Sequence, residues 1–129
     1  MIYSRILSEF FALWGTRFYI VKSDVDGNMK KVSNAVASLN VTSLKEMLAA
    51  EQALNQSTED SSGSVGLLWL KRTYEFLVCA LWYLSQSDSN ESMKTILLKA
   101  YEETLKRYHN RIMYHAFRVS ILHRFNLDL

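Results

Sequence analysis

The chain is predicted to be all-α, on three observations. It contains no proline and only four glycines. No segment alternates apolar and polar residues as a half-buried strand does. Apolar residues recur instead at steps of three and four, the spacing that lines one face of a helix. A short helix is expected from Ile2 to Trp14, before Gly15. Phe18, Val21, Val25, Met29, Val32, Val36 and Leu39 then mark one long amphipathic helix. Ser43-Leu44-Lys45-Glu46 reads as a capping box, in which the serine hydroxyl satisfies an orphan amide and the glutamate reaches back. It opens a helix running to about Leu54. Gln56 to Ser64 is polar and reads as a loop. Val65 to Leu84 is the longest apolar stretch and reads as a central helix, buried on most sides. Lys71, Arg72 and Glu75 within it argue against a membrane span. Gln86 to Ser92 is a second loop. Lys94 to Phe125 lacks glycine and proline, and Leu97, Tyr101, Leu105, Tyr108, Ile112, Ala116 and Val119 form a continuous stripe. That stripe fits one long helix or two helices kinked near Asn110. The total is five or six helices and no sheet.

At 129 residues the chain is one domain. Its apolar share of 49% is enough to build a core. The net charge of +2 points neither to nucleic acid nor to a strongly electrostatic membrane binder. The basic pairs Lys30-Lys31, Lys71-Arg72 and Lys106-Arg107 read first as solvated helix faces and second as anion contacts. Cys79 is the single cysteine and lies in an apolar run, so it reads as a buried thiol rather than a disulfide or metal ligand. Arg5 and Glu9 interrupt the N-terminal apolar residues, which do not form a signal-peptide core. The sequons at Asn40, Asn55 and Asn90 read as chance. A soluble, cytoplasmic protein is expected.

The most informative stretch is Asp24-Val25-Asp26-Gly27-Asn28-Met29-Lys30-Lys31. On a helix, Asp24, Asn28 and Lys31 stand at i, i+4 and i+7 and share one face. A carboxylate accepts from two hydroxyls, an amide donates and accepts, and an ammonium donates. That set suits a small polyhydroxy or phosphate headgroup, and equally the wet face of a helix. Gly27 costs about 1 kcal/mol relative to alanine, which marks close approach by a ligand or another helix. Trp69 fits a core position or a platform for the C–H face of a sugar ring. His109 fits a satisfied surface or core residue, or a donor to an amide or phosphate. His109, His115 and His123 are six and eight positions apart and do not stack on one helical face, so no metal is expected. No cofactor is expected either. GxSxG, HExxH, P-loop and CxxC motifs are all absent, and nothing argues for catalysis.

The segments DVDGNMKK, GLLWLKRTYEFL and KAYEETLKRYH, in that order, resemble the glycolipid transfer protein family. That family's pattern is an acidic residue with Asn and Lys on one helix, a Leu-Leu-Trp-Leu-Lys-Arg helix, and an Ala-Tyr…Leu…Tyr-His helix. The resemblance runs from about Phe10 to about Ile121. It implies a two-layer helical sandwich that holds a sphingolipid, headgroup on a polar recognition centre and chains in an apolar pocket. It implies that Asp24, Asn28 and Lys31 bind the headgroup, that Trp69 stacks on the sugar, and that His109 contacts the amide region. Phe76 and Phe117 fall where the family places its hydrocarbon pocket, although core packing explains both equally well. A phosphate-binding branch of the family prefers basic residues where Asn28 and Trp69 stand, which favours glycosylceramide over ceramide 1-phosphate. Lys30, Lys71 and Arg72 keep the phosphate option open.

The chain departs from the family in two ways. Asn110 and Arg111 replace the usual Gly-Trp after the histidine, so membrane docking lacks its tryptophan there; Trp14 and Trp82 are the candidates to replace it. Relative to the family, the first helix is shortened and the chain stops at Leu129, before a proline-containing turn and further helices. The expected partners are a glycosphingolipid, a membrane surface contacted transiently and peripherally, and no nucleic acid. Self-association through uncovered apolar surface is also expected. The alternative is a helical interaction module that transfers no lipid.

Overall fold

The computed structural model describes the backbone of residues 19–125 except 89, with side chains from 21 to 122. The helix expected over Ile2 to Trp14 lies outside the described residues, as does Trp14. Among them are five α-helices, one 3-10 turn and no strand. These are α1 (Tyr19–Ser38), α2 (Leu44–Ala53), α3 (Gly63–Gln86), α4 (Met93–Glu103), the turn Lys106–Tyr108, and α5 (Arg111–Phe125). The all-helical architecture is therefore as expected. Helix α3 is central and packs on α1, α2 and α4, while α5 packs on α4 and α1.

Local chemistry sets the helix ends. Ser43, Ser62 and Ser92 each accept the amide three residues on, from Glu46, Val65 and Thr95. The Glu46 carboxylate reaches back to the Thr42 amide at 2.9 Å, one residue upstream of the bond a capping box predicts. Asn40 and Asn55 follow α1 and α2 with φ of 51° and 56°. Asparagine tolerates this left-handed region better than most residues, so two of the three sequon asparagines have a backbone role. Glu51 is buried, and its carboxylate accepts the Gly63 and Ser64 amides at 2.7 Å each and the Ser64 hydroxyl at 2.5 Å. It ties α2 to the N-terminus of α3, where unpaired amides and the helix dipole favour an anion.

Helix α1 crosses α3 at glycines of α3. A Cβ on Gly66 would stand 2.8 Å from the Asn28 carbonyl oxygen and 2.9 Å from Lys31 Cβ. A Cβ on Gly63 would stand 2.7 Å from Ala35 Cβ. Gly27, expected to mark a close approach, has no such neighbour within 4 Å. The approach is real, but the partner helix supplies the glycines. Two alanine substitutions should therefore act in opposite directions. Gly66→Ala should wedge the helices apart and destabilise by about 1–3 kcal/mol. Gly27→Ala should stabilise by about 0.8–1 kcal/mol. Denaturant melts of both variants check the signs.

Two other expectations need correction. Helix α3 is not buried on most sides, because Val78, Leu81 and Trp82 are each more than 60% exposed. A helix that is apolar all round can bury either face, and among the described residues only the inner one is covered. Cys79 accordingly is half-buried rather than fully buried, and lines an open groove with Tyr74, Val78 and Trp82. Partial burial and the neighbouring Glu103 carboxylate push its thiol pKa up.

The second correction concerns the apolar stripe after α4, which a break in the helix interrupts. Thr104 leaves the helical region (φ −117°, ψ −82°) while its hydroxyl donates back to the Ala100 carbonyl at 2.6 Å. His109 is extended (φ −89°, ψ 134°), and the Asn110 side-chain oxygen accepts the Met113 amide at 2.9 Å to start α5. Of the two arrangements the stripe allowed, the two-helix one is present. The break also resets the helical phase. Leu97, Tyr101 and Leu105 are buried as the stripe requires, but Ile112 and Val119 are exposed. Among the described side chains of α5, Phe117, Ser120 and Ile121 are the buried ones.

Candidate functional site

Asp24 and Asn28 stand on successive turns of α1. The Asn28 side-chain amide donates to Asp24 Oδ2 at 3.3 Å. Asn28 is only 5% exposed, because Gly66 lets the α3 backbone lie against it. Asn28 is therefore not on a wet helix face, although Asp24 one turn earlier is exposed. Asp24 keeps a solvent-facing edge, yet the protein around its carboxyl pushes the pKa above the usual aspartate value. The Lys31 ammonium and the Asn28 amide pull the other way and do not overcome that desolvation. Lys31 itself approaches Asp60 at 3.5 Å. Asp60 is almost fully exposed, and such pairs contribute little.

Trp69 and Thr73 come from α3, one turn apart, and the Thr73 hydroxyl donates to the Trp69 carbonyl at 3.0 Å. The His109 ring stacks near Trp69, with centroids 5.8 Å apart and planes at 29°. The Arg72 guanidinium lies 4.7 Å from the Trp69 ring centre and 3.7 Å from that of Tyr108. These cation–π contacts tie α3 to the 3-10 turn. Lys71 and Lys106 instead pair with Glu75 and Glu102, each four residues away along the chain, as solvated basic residues do.

Asp24, Trp69 and His109 line one small cleft together with Val21, Thr73, Leu105, Met113 and Phe117. Asn28 joins it through Asp24, and Lys31 acts on it through charge. Phe117 forms part of the wall, and Phe76 meets Phe117 edge-on at 5.5 Å. Tyr101 stacks on Phe117 at 4.4 Å with planes 14° apart. The cleft measures about 30 Å³, room for about one or two waters. Polar groups and aromatic rings thus line the same narrow cleft.

Sequence reasoning missed Thr73, Met113 and Tyr101. Thr73 was legible, since it lies one helical turn beyond Trp69. Met113 and the contact between Tyr101 and His109 depend on the chain break, which no glycine or proline signals. Among the described residues no three His, Cys, Asp or Glu side chains gather to hold a metal. No described helix is long and apolar enough to cross a membrane.

The family model described as Glycolipid transfer protein (GLTP) matches residues 2–123. The chain belongs to the glycolipid transfer protein family. A glycolipid transfer protein of Danio rerio is 32% identical over 124 residues, covering 89% of this chain and 59% of the relative. Glycolipid transfer protein 3 of Arabidopsis thaliana is 28% identical over 109 residues, covering 83% and 46%. Among glycolipid transfer proteins, then, this chain spans roughly half the length of the curated relatives it matches. A solved structure concerned with how FAPP2 selects simple glycosphingolipids using the GLTP-fold superposes with TM-score 0.72 at 29% identity. It covers 82% of this chain and 50% of that one. The apo-form crystal structure of mouse ceramide-1-phosphate transfer protein gives TM-score 0.76 at 24% identity, covering 95% and 68%. The latter likeness shows the fold alone.

Proposed function

We propose that this domain is a non-enzymatic, cytoplasmic carrier of glycosylceramide between membranes. The observation behind this reading is that Asp24, Trp69 and His109, from three separate parts of the chain, line one cleft walled by Phe117. Asp24 accepts sugar hydroxyls, with Asn28 and Lys31 adding hydrogen bonds beside it. Trp69 offers its ring to the first sugar, and His109 donates to the amide carbonyl of the ceramide. Phe76 and Phe117 give way to the hydrocarbon chains.

Magnitudes show why the rings must move. Each buried CH₂ is worth about 0.8 kcal/mol. A ceramide has roughly thirty, so leaving its chains in water costs about 25 kcal/mol on that figure. A cleft of about 30 Å³ shelters almost none of them. Loading therefore requires the aromatic cluster to open. Membrane contact is assigned to the first turn of α5, where Ile112 is 78% exposed beside the cleft residue Met113. Trp82 lies thirteen residues from Trp69 along α3, or about 20 Å, too far to dock the cleft mouth directly.

The test is transfer of fluorescent galactosylceramide between vesicles, with ceramide 1-phosphate in parallel. Faster transfer of the sugar lipid is expected. Transfer of neither lipid by the folded domain counts against the carrier role. The exposed Val78, Leu81 and Trp82 favour a second reading, a helical interaction module. Size-exclusion chromatography with and without vesicles separates the two, since a module would form an oligomer indifferent to lipid.

A further inference from the structure

His109 carries two ring nitrogens, and only one can meet a ligand in the cleft. The other is already engaged, because the Tyr101 hydroxyl lies 3.0 Å from Nδ1. Tyr101 is fully buried and cannot turn easily. Its ring is stacked on Phe117 and lies near Tyr114, with centroids 4.4 Å and 6.1 Å away. Among the described residues the hydroxyl has no other hydrogen-bond partner. If Nδ1 carried the proton, Tyr101 would accept it and its own buried O–H would go unused, at a cost. If Tyr101 donates to Nδ1, both groups are satisfied and the ring proton sits on Nε2.

We propose that Tyr101 is the positioning residue for His109: it fixes the Nδ1-accepting tautomer and leaves Nε2–H as the donor facing the cleft. The group this selects in a ligand is an uncharged acceptor such as an amide carbonyl oxygen. The functional half of the inference rests on the carrier reading above, and the tautomer itself does not. Protonation states agree with the geometry. Burial lowers the His109 pKa, which keeps the ring neutral near pH 7. Burial, with the neighbouring Tyr114 and Glu102, raises the Tyr101 pKa to about 12, so its hydroxyl keeps its proton. Nothing in sequence spacing links the two residues, because eight positions on a regular helix leave them about 80° apart. The break at Thr104–Asn110 brings them together.

The experiment is long-range proton–nitrogen NMR on the full chain with labelled histidines, His109 being assigned by its loss in His109→Gln. The expected spectrum of the ligand-free wild type shows His109 protonated at Nε2. Tyr101→Phe keeps the stacked ring and should give a mixture of tautomers. The same variant should bind galactosylceramide about three- to tenfold more weakly, the worth of one hydrogen bond. A wild-type His109 protonated at Nδ1 overturns the inference without any variant. So does a tautomer that Tyr101→Phe leaves unchanged. A wild type that shows the Nε2 tautomer but takes up no galactosylceramide supports the positioning and overturns the carrier reading alone.

Discussion

Replacing Asp24 by asparagine should cut galactosylceramide transfer about ten- to hundredfold, the loss expected when hydrogen bonds to a charged acceptor vanish. The same substitution should leave the fold at least as stable at pH 7. The reason is that desolvation raises the Asp24 pKa despite the opposing Lys31 and Asn28. An acid whose folded pKa is raised favours the folded state fully below its unfolded pKa, and loses that advantage as pH rises through the folded value. At neutral pH the ionised carboxylate is therefore a slight burden on the fold, kept small because Asp24 is exposed. Asparagine removes the charge, keeps the shape, and still offers Asn28 an oxygen. Groups that cost stability yet line a cleft are candidates for function. Thermal melts at pH 7 alongside vesicle transfer assays test both halves. An Asp24→Asn protein that transfers lipid normally would remove Asp24 from the recognition centre.

Glu51→Ala should be the most damaging of the proposed substitutions to stability, at about 2–5 kcal/mol. It leaves the Gly63 and Ser64 amides, together with the Ser64 hydroxyl, without their carboxylate. A domain of this size has about 5–15 kcal/mol in total, so the melting temperature should fall by roughly 10 °C or more. There is also a pH signature. Burial alone would raise the Glu51 pKa, but the bonds from Ser64 and Gly63 outweigh it and hold the carboxyl below the ordinary glutamate range. Its contribution is thus present above the unfolded pKa and lost as pH falls through the folded value. The wild type should lose stability on acidification more steeply than Glu51→Gln, which retains one oxygen acceptor but cannot ionise. Parallel acid titrations of the two proteins, followed by helical circular dichroism, check the difference.

Much of the fold was legible because its signals are local. Ser43 with Glu46 announced the start of α2, and the polar run before Ser64 announced the loop before α3. Caps are written into three or four adjacent residues. The break between α4 and α5 was ambiguous for the opposite reason. It is made by Thr104 bonding back to Ala100 and by Asn110 capping α5, using residues that also occur inside helices. Phase beyond the break was misread accordingly, with Ile112 and Val119 placed on a face they do not share with Tyr101. Gly27 shows a different failure. A glycine reports that something is permitted, not who uses it, and the helix crossing uses Gly63 and Gly66 instead. For the cleft, side chains on one helix could be grouped by spacing, which joined Asp24 to Asn28. Their meeting with Trp69 and His109 is a tertiary fact that only the resemblance to a family suggested beforehand.

His109 sits on the short connector from which α5 departs, and Phe117 hangs from α5 itself. A tilt of α5 large enough to unstack Phe117 from Tyr101 must also strain the link between Tyr101 and His109. On the proposed carrier reading, the seat for a polar headgroup and the wall that must yield to its tails therefore turn on one pivot, and whatever pins the imidazole also steadies that wall.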